Sequence, residues 1–153
     1  ILEYCIMNLE QVLEEWKDDC RIDPTAIDES SRVTPELHAK YLGMLSQAKL
    51  KLKQLEFKQK DLMKLKWLWY NGKMSQDEII ELGWNPDPFD GLKILKGDME
   101  RYVEADPELV ESEAKIEYIK TLIDTLKEIV QNLNWRHQTI KNIIEYKKFE
   151  AGF

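Results

Sequence analysis

Residues 34–72 read TPELHAKYLGMLSQAKLKLKQLEFKQKDLMKLKWLWYNG, and this stretch decides the fold. It opens on the capping hydroxyl of Thr34, with Pro35 at the first helical position and Glu36 in the first turn. It closes on Asn71-Gly72. Those are the start and stop signals of a helix, and only Gly43 weakens helical propensity between them. At about 1.5 Å per residue such a helix runs on the order of 50 Å. Placed at about 100° per residue, Tyr41, Met44, Leu45, Ala48, Leu52, Leu55, Leu62 and Met63 share a broad apolar face. Lys49, Lys53, Lys60 and Lys64 form a narrow stripe on the opposite side. Lys51 and Lys58 flank the apolar face, and Lys66 lands within it.

A solvated helix face normally mixes signs, because like charges at i,i+4 cost a few tenths of a kcal/mol per pair. Lys49/Lys53 and Lys60/Lys64 are such pairs with little acid beside them. A one-signed stripe of this kind predicts an anionic partner. Trp67, Trp69 and Tyr70 end the helix. Such rings either stack on nucleic-acid bases or wedge the helix end against its neighbours, and both readings stand at this point.

The whole chain of 153 residues is acidic, with a net charge of −7, which taken alone argues against a polyanion partner. The distribution argues otherwise. Residues 1–34 carry −6, residues 35–73 carry +6, residues 74–110 carry −7, and residues 111–153 are balanced. A basic island between acidic segments marks an interaction surface. The rest of the composition excludes several classes. There is no Gly-rich phosphate loop and no nucleophile elbow. His38 and His137 stand far apart, without partners at metal-ligand spacing. The chain is therefore read as a non-enzyme that needs neither cofactor nor metal. Two cysteines, Cys5 and Cys20, without a CxxC pair, fit a reducing compartment. No apolar run of 18 residues suggests a membrane span.

In chain order, Leu9, Val12, Leu13 and Trp16 predict a short amphipathic helix behind Asn8 as N-cap. This acidic helix either packs on its own domain or docks a partner. Residues 20–33 read as a linker-like loop, and residues 1–6 as sequence upstream of a natural start at Met7. Ser75-Gln-Asp-Glu78 is a capping box for a short helix that Gly83 closes. The aromatics of Trp84–Gly91 suggest a loop that packs down, and a helix is expected over Leu92–Ala105, interrupted at Gly97, with an extended Leu92–Leu95 as the alternative. Asp106-Pro107-Glu108-Leu109 repeats the capping chemistry of residues 34–37 and opens a run without Gly or Pro until Gly152. There Ile116, Ile119, Ile123, Leu126, Val130, Leu133, His137, Ile140 and Ile144 keep 3–4 spacing, the pattern of a coiled-coil seam. His137 is expected as a register-setting polar core residue. Leu122, Ile129 and Ile143 add a second apolar row, so the helix contacts more than one neighbour, from its own chain or from other subunits. The expected fold is all-α, two long helices plus short ones, in three segments. Residues 1–34 form the N-terminal helix and linker. Residues 35–106 form the basic helix with its following loop and short helices. Residues 107–153 form a C-terminal oligomerisation helix.

The spacing of Leu9–Asp23, the Asp61–Gly72 stretch and the ending Arg136…Ile143-Ile-Glu145…Phe149-Glu-Ala-Gly152 resemble the UvsY family, the recombination mediators of large tailed phages. The resemblance covers the chain from Met7 onward, and Lys64–Gly72 is its specific part. It implies a non-enzymatic protein that binds single-stranded DNA as a ring-like homo-oligomer, of roughly six or seven subunits. It also implies a role in loading a RecA-like phage recombinase onto strands coated by the phage single-stranded-DNA-binding protein, in homologous recombination and repair. That places the protein in the cytoplasm of the infected bacterial host. The family's basic pair matches Lys64 and Lys66, and its Tyr-Tyr pair is Trp69-Tyr70 here. The expected DNA contacts are thus Lys49, Lys53, Lys60, Lys64, Lys66, Trp67, Trp69 and Tyr70. The expected subunit contacts are Ile116, Ile119, Ile123, Leu126, Val130, Leu133, Ile140 and Ile144. Met74–Gly91 has no counterpart in the pattern. One tension stands: on a straight helix Lys64 and Lys66 point about 200° apart. Either the helix deforms there, or one lysine meets DNA bound mainly by a neighbouring subunit. The alternative from another class is a helical scaffold or chaperone holding protein partners through its coiled coil.

Overall fold

The computed structural model describes residues 8–153; the expectations for residues 1–6 and Met7 lie outside them. Six α-helices order this span: α1 Leu9–Asp19, α2 Ile27–Arg32, α3 Thr34–Tyr70, α4 Gln76–Leu82, α5 Met99–Glu104 and α6 Pro107–Glu150. The local signals act as expected at most ends. Asn8 caps α1 in a capping box with Gln11, and Ser75 caps α4 with Glu78. At the end of α3 Gly72 takes φ 67°. Its N–H donates to Trp69 O and that of Lys73 to Leu68 O, a Schellman motif that needs a residue without Cβ at that point. Asp106 Oδ1 accepts from the N–H groups of Glu108 and Leu109 and so opens α6.

Two segments differ from expectation. The stretch read as linker contains α2, whose Ser30 Oγ accepts from the Asp23 N–H. That hydroxyl ties the loop back to the helix. The helix expected over Leu92–Ala105 is shorter. Residues 92–95 are not helical, a 3-10 turn spans Lys96–Asp98, and only Met99–Glu104 is α-helical, consistent with the cost of Gly97.

The chain forms two compact units, residues 1–51 with 119–153 and residues 52–118. In the first, Val12 of α1, Tyr41, Leu45 and Ala48 of α3, and Leu122, Ile123, Leu126, Ile129, Leu133 and Ile140 of α6 are buried. The acidic α1 packs within this unit: Trp16 meets Tyr41 edge-on at 5.3 Å. Tyr41 Oη donates to Asp19 at 2.8 Å, and Lys40 bridges Glu15 and Asp19 at 2.7 and 2.6 Å. Burial first, then the hydrogen bond to Asp19, pushes the Tyr41 phenol well above its ordinary range.

The heptad seam is where the fold departs most from the sequence reading. Six of its expected subunit contacts, Ile116, Ile119, Ile123, Leu126, Leu133 and Ile140, are buried within the chain's own fold. Val130 is half-buried and Ile144 exposed. A 3–4 apolar pattern reports that a face is covered, not by whom. Nor does His137 enter the core. It is exposed, with Nδ1 2.9 Å from Asn134 O, and the buried polar position belongs to its neighbour Arg136.

Arg136 is the main polar tie of this unit. Its Nε donates to Thr34 Oγ1 at 3.1 Å; Nη1 donates to the carbonyls of Asp19 and Cys20, and Nη2 to those of Arg21 and Ser30, at 3.2–3.5 Å. One rigid guanidinium thereby satisfies the C-terminal carbonyls of α1 and joins them to α2 and the start of α3. Removing it strands several buried carbonyls at once. Arg136→Ala is expected to destabilise by about 3 kcal/mol, a fall in thermal midpoint of ~6–12 °C for a chain of this size. Arg136→Lys restores little of it, because one ammonium cannot span the five acceptors. Circular-dichroism melting checks both.

Candidate nucleic-acid interface

The second unit carries most of the basic stripe. Lys53, Lys60 and Lys64 are exposed on α3, and Trp67 beside them is 48% exposed. Lys53 lies 3.3 Å from Glu56. The Lys60 ammonium sits 5.9 Å from the Phe57 ring centre, and that of Lys73 sits 4.7 Å from that of Trp67. Lys49 is likewise exposed, on the α3 segment of the first unit. These side chains present cations and a half-exposed ring to solvent, groups of the kind that a phosphate backbone with unstacked bases can engage.

Lys66, Trp69 and Tyr70 are placed differently. Lys66 is 3% exposed. Its ammonium pairs with Asp106 at 3.1 Å and Glu108 at 3.5 Å, and it lies 4.0 Å from the Trp84 ring centre and 4.6 Å from that of Trp69. Tyr70 is buried and donates its hydroxyl to Asp106 at 2.7 Å. Trp69 is half-buried, with Nε1 donating to Asn85 O at 2.8 Å, and Trp84 Nε1 donates to Glu108 at 3.1 Å. The rings continue from Trp84 to Trp69, Tyr70, Phe89 and Tyr102, each 4.8–5.6 Å from the next. The same few residues therefore hold one cation, two carboxylates and a wall of aromatics. The family's basic pair divides between solvent and core: Lys64 faces out, Lys66 faces in.

The 83–91 loop, which the sequence pattern left without a role, supplies one side of this box. Asp87 accepts from the N–H groups of Phe89 and Gly91, and Asn85 accepts from that of Asp87. Those turns hold Trp84 and Phe89 inward. The expected packing-down of the Trp84–Gly91 aromatics holds, but sequence reasoning did not make Trp84 a partner of Lys66, and it read Asp106 and Glu108 only as helix-start chemistry. The available signal was Lys66 itself: a lysine on the apolar face of a helix needs a carboxylate.

Burial raises the Asp106 carboxyl, but the hydrogen bonds from Tyr70 and Lys66 and the charge of Lys66 outweigh it and hold the group below its ordinary value. Burial and the bond to Asp106 push the Tyr70 phenol well above its own. Among the described residues no group of three or more His, Cys, Asp or Glu side chains is placed to hold a metal ion. Nor is any helix there long and apolar enough to cross a membrane.

The described residues form an all-helical fold with exposed cations along one long helix, and comparison with known proteins gives the family. The family described as recombination, repair and ssDNA binding protein UvsY matches residues 15–153. The chain belongs to the UvsY family. It is 26% identical over 146 residues to the recombination protein uvsY of Enterobacteria phage T4, covering 95% of this chain and 99% of that protein. A crystal structure of the bacteriophage T4 recombination mediator protein UvsY superposes with a TM-score of 0.77 at 26% identity, over 95% of this chain and 98% of that one. A second crystal form gives 0.76 at 23% identity, over 94% and 99%, which speaks for the fold.

The shifts set a pH profile. The depressed Asp106 contributes stability above its unfolded value near 4, lost as pH falls through the folded one; the raised Tyr70 contributes below about 10, lost as pH rises. Thermal stability is expected to hold between about pH 5 and 9 and to decline at both ends. Asp106→Asn removes that group's share of the acid limb and Tyr70→Phe its share of the alkaline one, leaving the shares of Asp19 and Tyr41. Removing the cation alone, Lys66→Ala, costs about 3–5 kcal/mol at neutral pH because it leaves Asp106 buried and unpaired.

Proposed function

We propose that the protein is a recombination mediator that binds single-stranded DNA without sequence preference through α3. It promotes loading of a RecA-like phage recombinase onto strands coated by single-stranded-DNA-binding protein, in homologous recombination and repair inside the infected host. The observation that carries this reading is the row of exposed lysines, Lys53, Lys60 and Lys64, with the open ring of Trp67, on an otherwise acidic chain. Family membership supports it. Lys49 presents the same charge on the α3 segment of the first unit.

In this reading Lys64 touches phosphate directly, whereas Lys66 acts at one remove. Paired to Asp106 and flanked by Trp69 and Trp84, it holds the end of α3 in register and so positions Lys64 and Trp67. Tyr70 and Trp69 belong to that support. Self-association uses what the seam leaves uncovered: Ile144 and the outward rings of Trp135, Tyr146 and Phe149 on α6. Several copies then present repeated stripes, and binding tightens by effective concentration.

Single-strand affinity is expected to fall with salt at a log–log slope near −0.7 per phosphate neutralised. Lys64→Ala makes that slope shallower and leaves the subunit's melting temperature and oligomer size unchanged. Lys66→Ala weakens binding together with thermal stability. Fluorescence anisotropy of labelled oligo-dT across a salt series, with light scattering, separates the two. A salt-independent wild type would sink the proposal and favour a protein-binding scaffold.

A further inference from the structure

Phe57 is 60% exposed, and neither the fold nor the lysine–aromatic motif accounts for it. It sits on α3 ten residues before Trp67, the next exposed ring of that helix, within the same compact unit. Along the helix axis the two rings are about 15 Å apart. At about 100° per residue they bound an arc of roughly 80°, and Lys53, Lys60 and Lys64 all fall inside it. The nearby acids lie outside that arc, Glu56 drawn to Lys53 and Asp61 further round. Lys60 already approaches the face of Phe57, as Lys73 does that of Trp67. Along the axis the order is thus Lys53, Phe57, Lys60, Lys64, Trp67, with Glu56 at the edge of the arc paired to Lys53 and no acid between the two rings inside the arc.

We infer that Phe57 is a second base-stacking ring, so that a bound single strand runs along α3 with bases on Phe57 and Trp67 and phosphates on Lys60 and Lys64 between them and on Lys53 beyond Phe57. The inference rests on the single-strand reading above and extends it to a residue outside the motif. An acidic protein surface would answer the lysines but leave the two rings without matching faces. A duplex would answer the lysines too, but its bases are already stacked. Unstacked bases joined by phosphates fit both components.

The test compares oligo-dT with an abasic deoxyribose-phosphate strand of the same length, at fixed salt and across a salt series, on the full chain. Phe57→Ala and Phe57→Leu are expected to lose about fivefold or more in affinity for oligo-dT. They should lose little on the abasic strand and keep the salt slope, since no phosphate contact is removed. Phe57→Tyr keeps the affinity. Equal loss on both strands, retention by Phe57→Leu, or no loss at all would overturn the inference while leaving the single-strand reading in place. So would a changed oligomer size by light scattering, which assigns Phe57 to a subunit contact. A wild type that fails to bind oligo-dT, or binds it without salt dependence, would defeat the underlying reading instead.

Discussion

A lysine ammonium taken out of water must be met by opposite charge and by hydrogen-bond acceptors, or the fold around it fails. Lys66 imposes that constraint on the second unit. Asp106 and Glu108 come to it from the start of α6, Tyr70 shares Asp106 with it, and Trp69 and Trp84 close over it. Each partner has a second task. Asp106 also caps α6, Trp84 anchors the 83–91 loop, and Trp69 and Tyr70 terminate α3. The end of one long helix and the beginning of the other are therefore fixed by a single charge. The exposed stripe on α3 inherits its geometry from this buried cluster.

The division between Lys64 and Lys66 resolves a difficulty that the sequence poses. Two residues apart on a helix, they point in nearly opposite directions and cannot grip one strand together. On the proposed reading neither a deformed α3 nor a neighbouring subunit is needed, because Lys64 is the strand contact and Lys66 its buried support. The helical wheel held part of the answer, since it set Lys66 among apolar residues. It could not supply the partners, which lie 40 and 42 positions away in sequence and whose residue types also suit a helix start. Local chemistry was readable: caps, the Schellman turn and the one-signed face of α3 all follow from short-range rules. Long-range pairing, here the commitment of a cation to distant acids, was not.

The C-terminal helix teaches the same lesson with apolar residues. Ile116 to Ile144 spell a seam, and periodicity alone made it look like a subunit contact. Most of it is covered by the chain's own helices. Arg136, one position from the histidine that the heptad singled out, is the polar group that enters the core, because the end of α1, the residues after it and α2 bring carbonyls to that point and the start of α3 brings the Thr34 hydroxyl. A guanidinium meets that demand where an imidazole cannot, having donors enough for every acceptor.

That internal use of the seam has a consequence for assembly. When an apolar stripe is buried only between subunits, folding is a mass-action process and dilution unfolds the chain. Here Leu122, Ile123, Leu126, Ile129 and Leu133 are already dry in the single chain. The burial of that stripe therefore does not depend on a second copy, and the self-association proposed above is left to the exposed residues of α6. In the proposed assembly, copies can then exchange on a strand while every member stays folded.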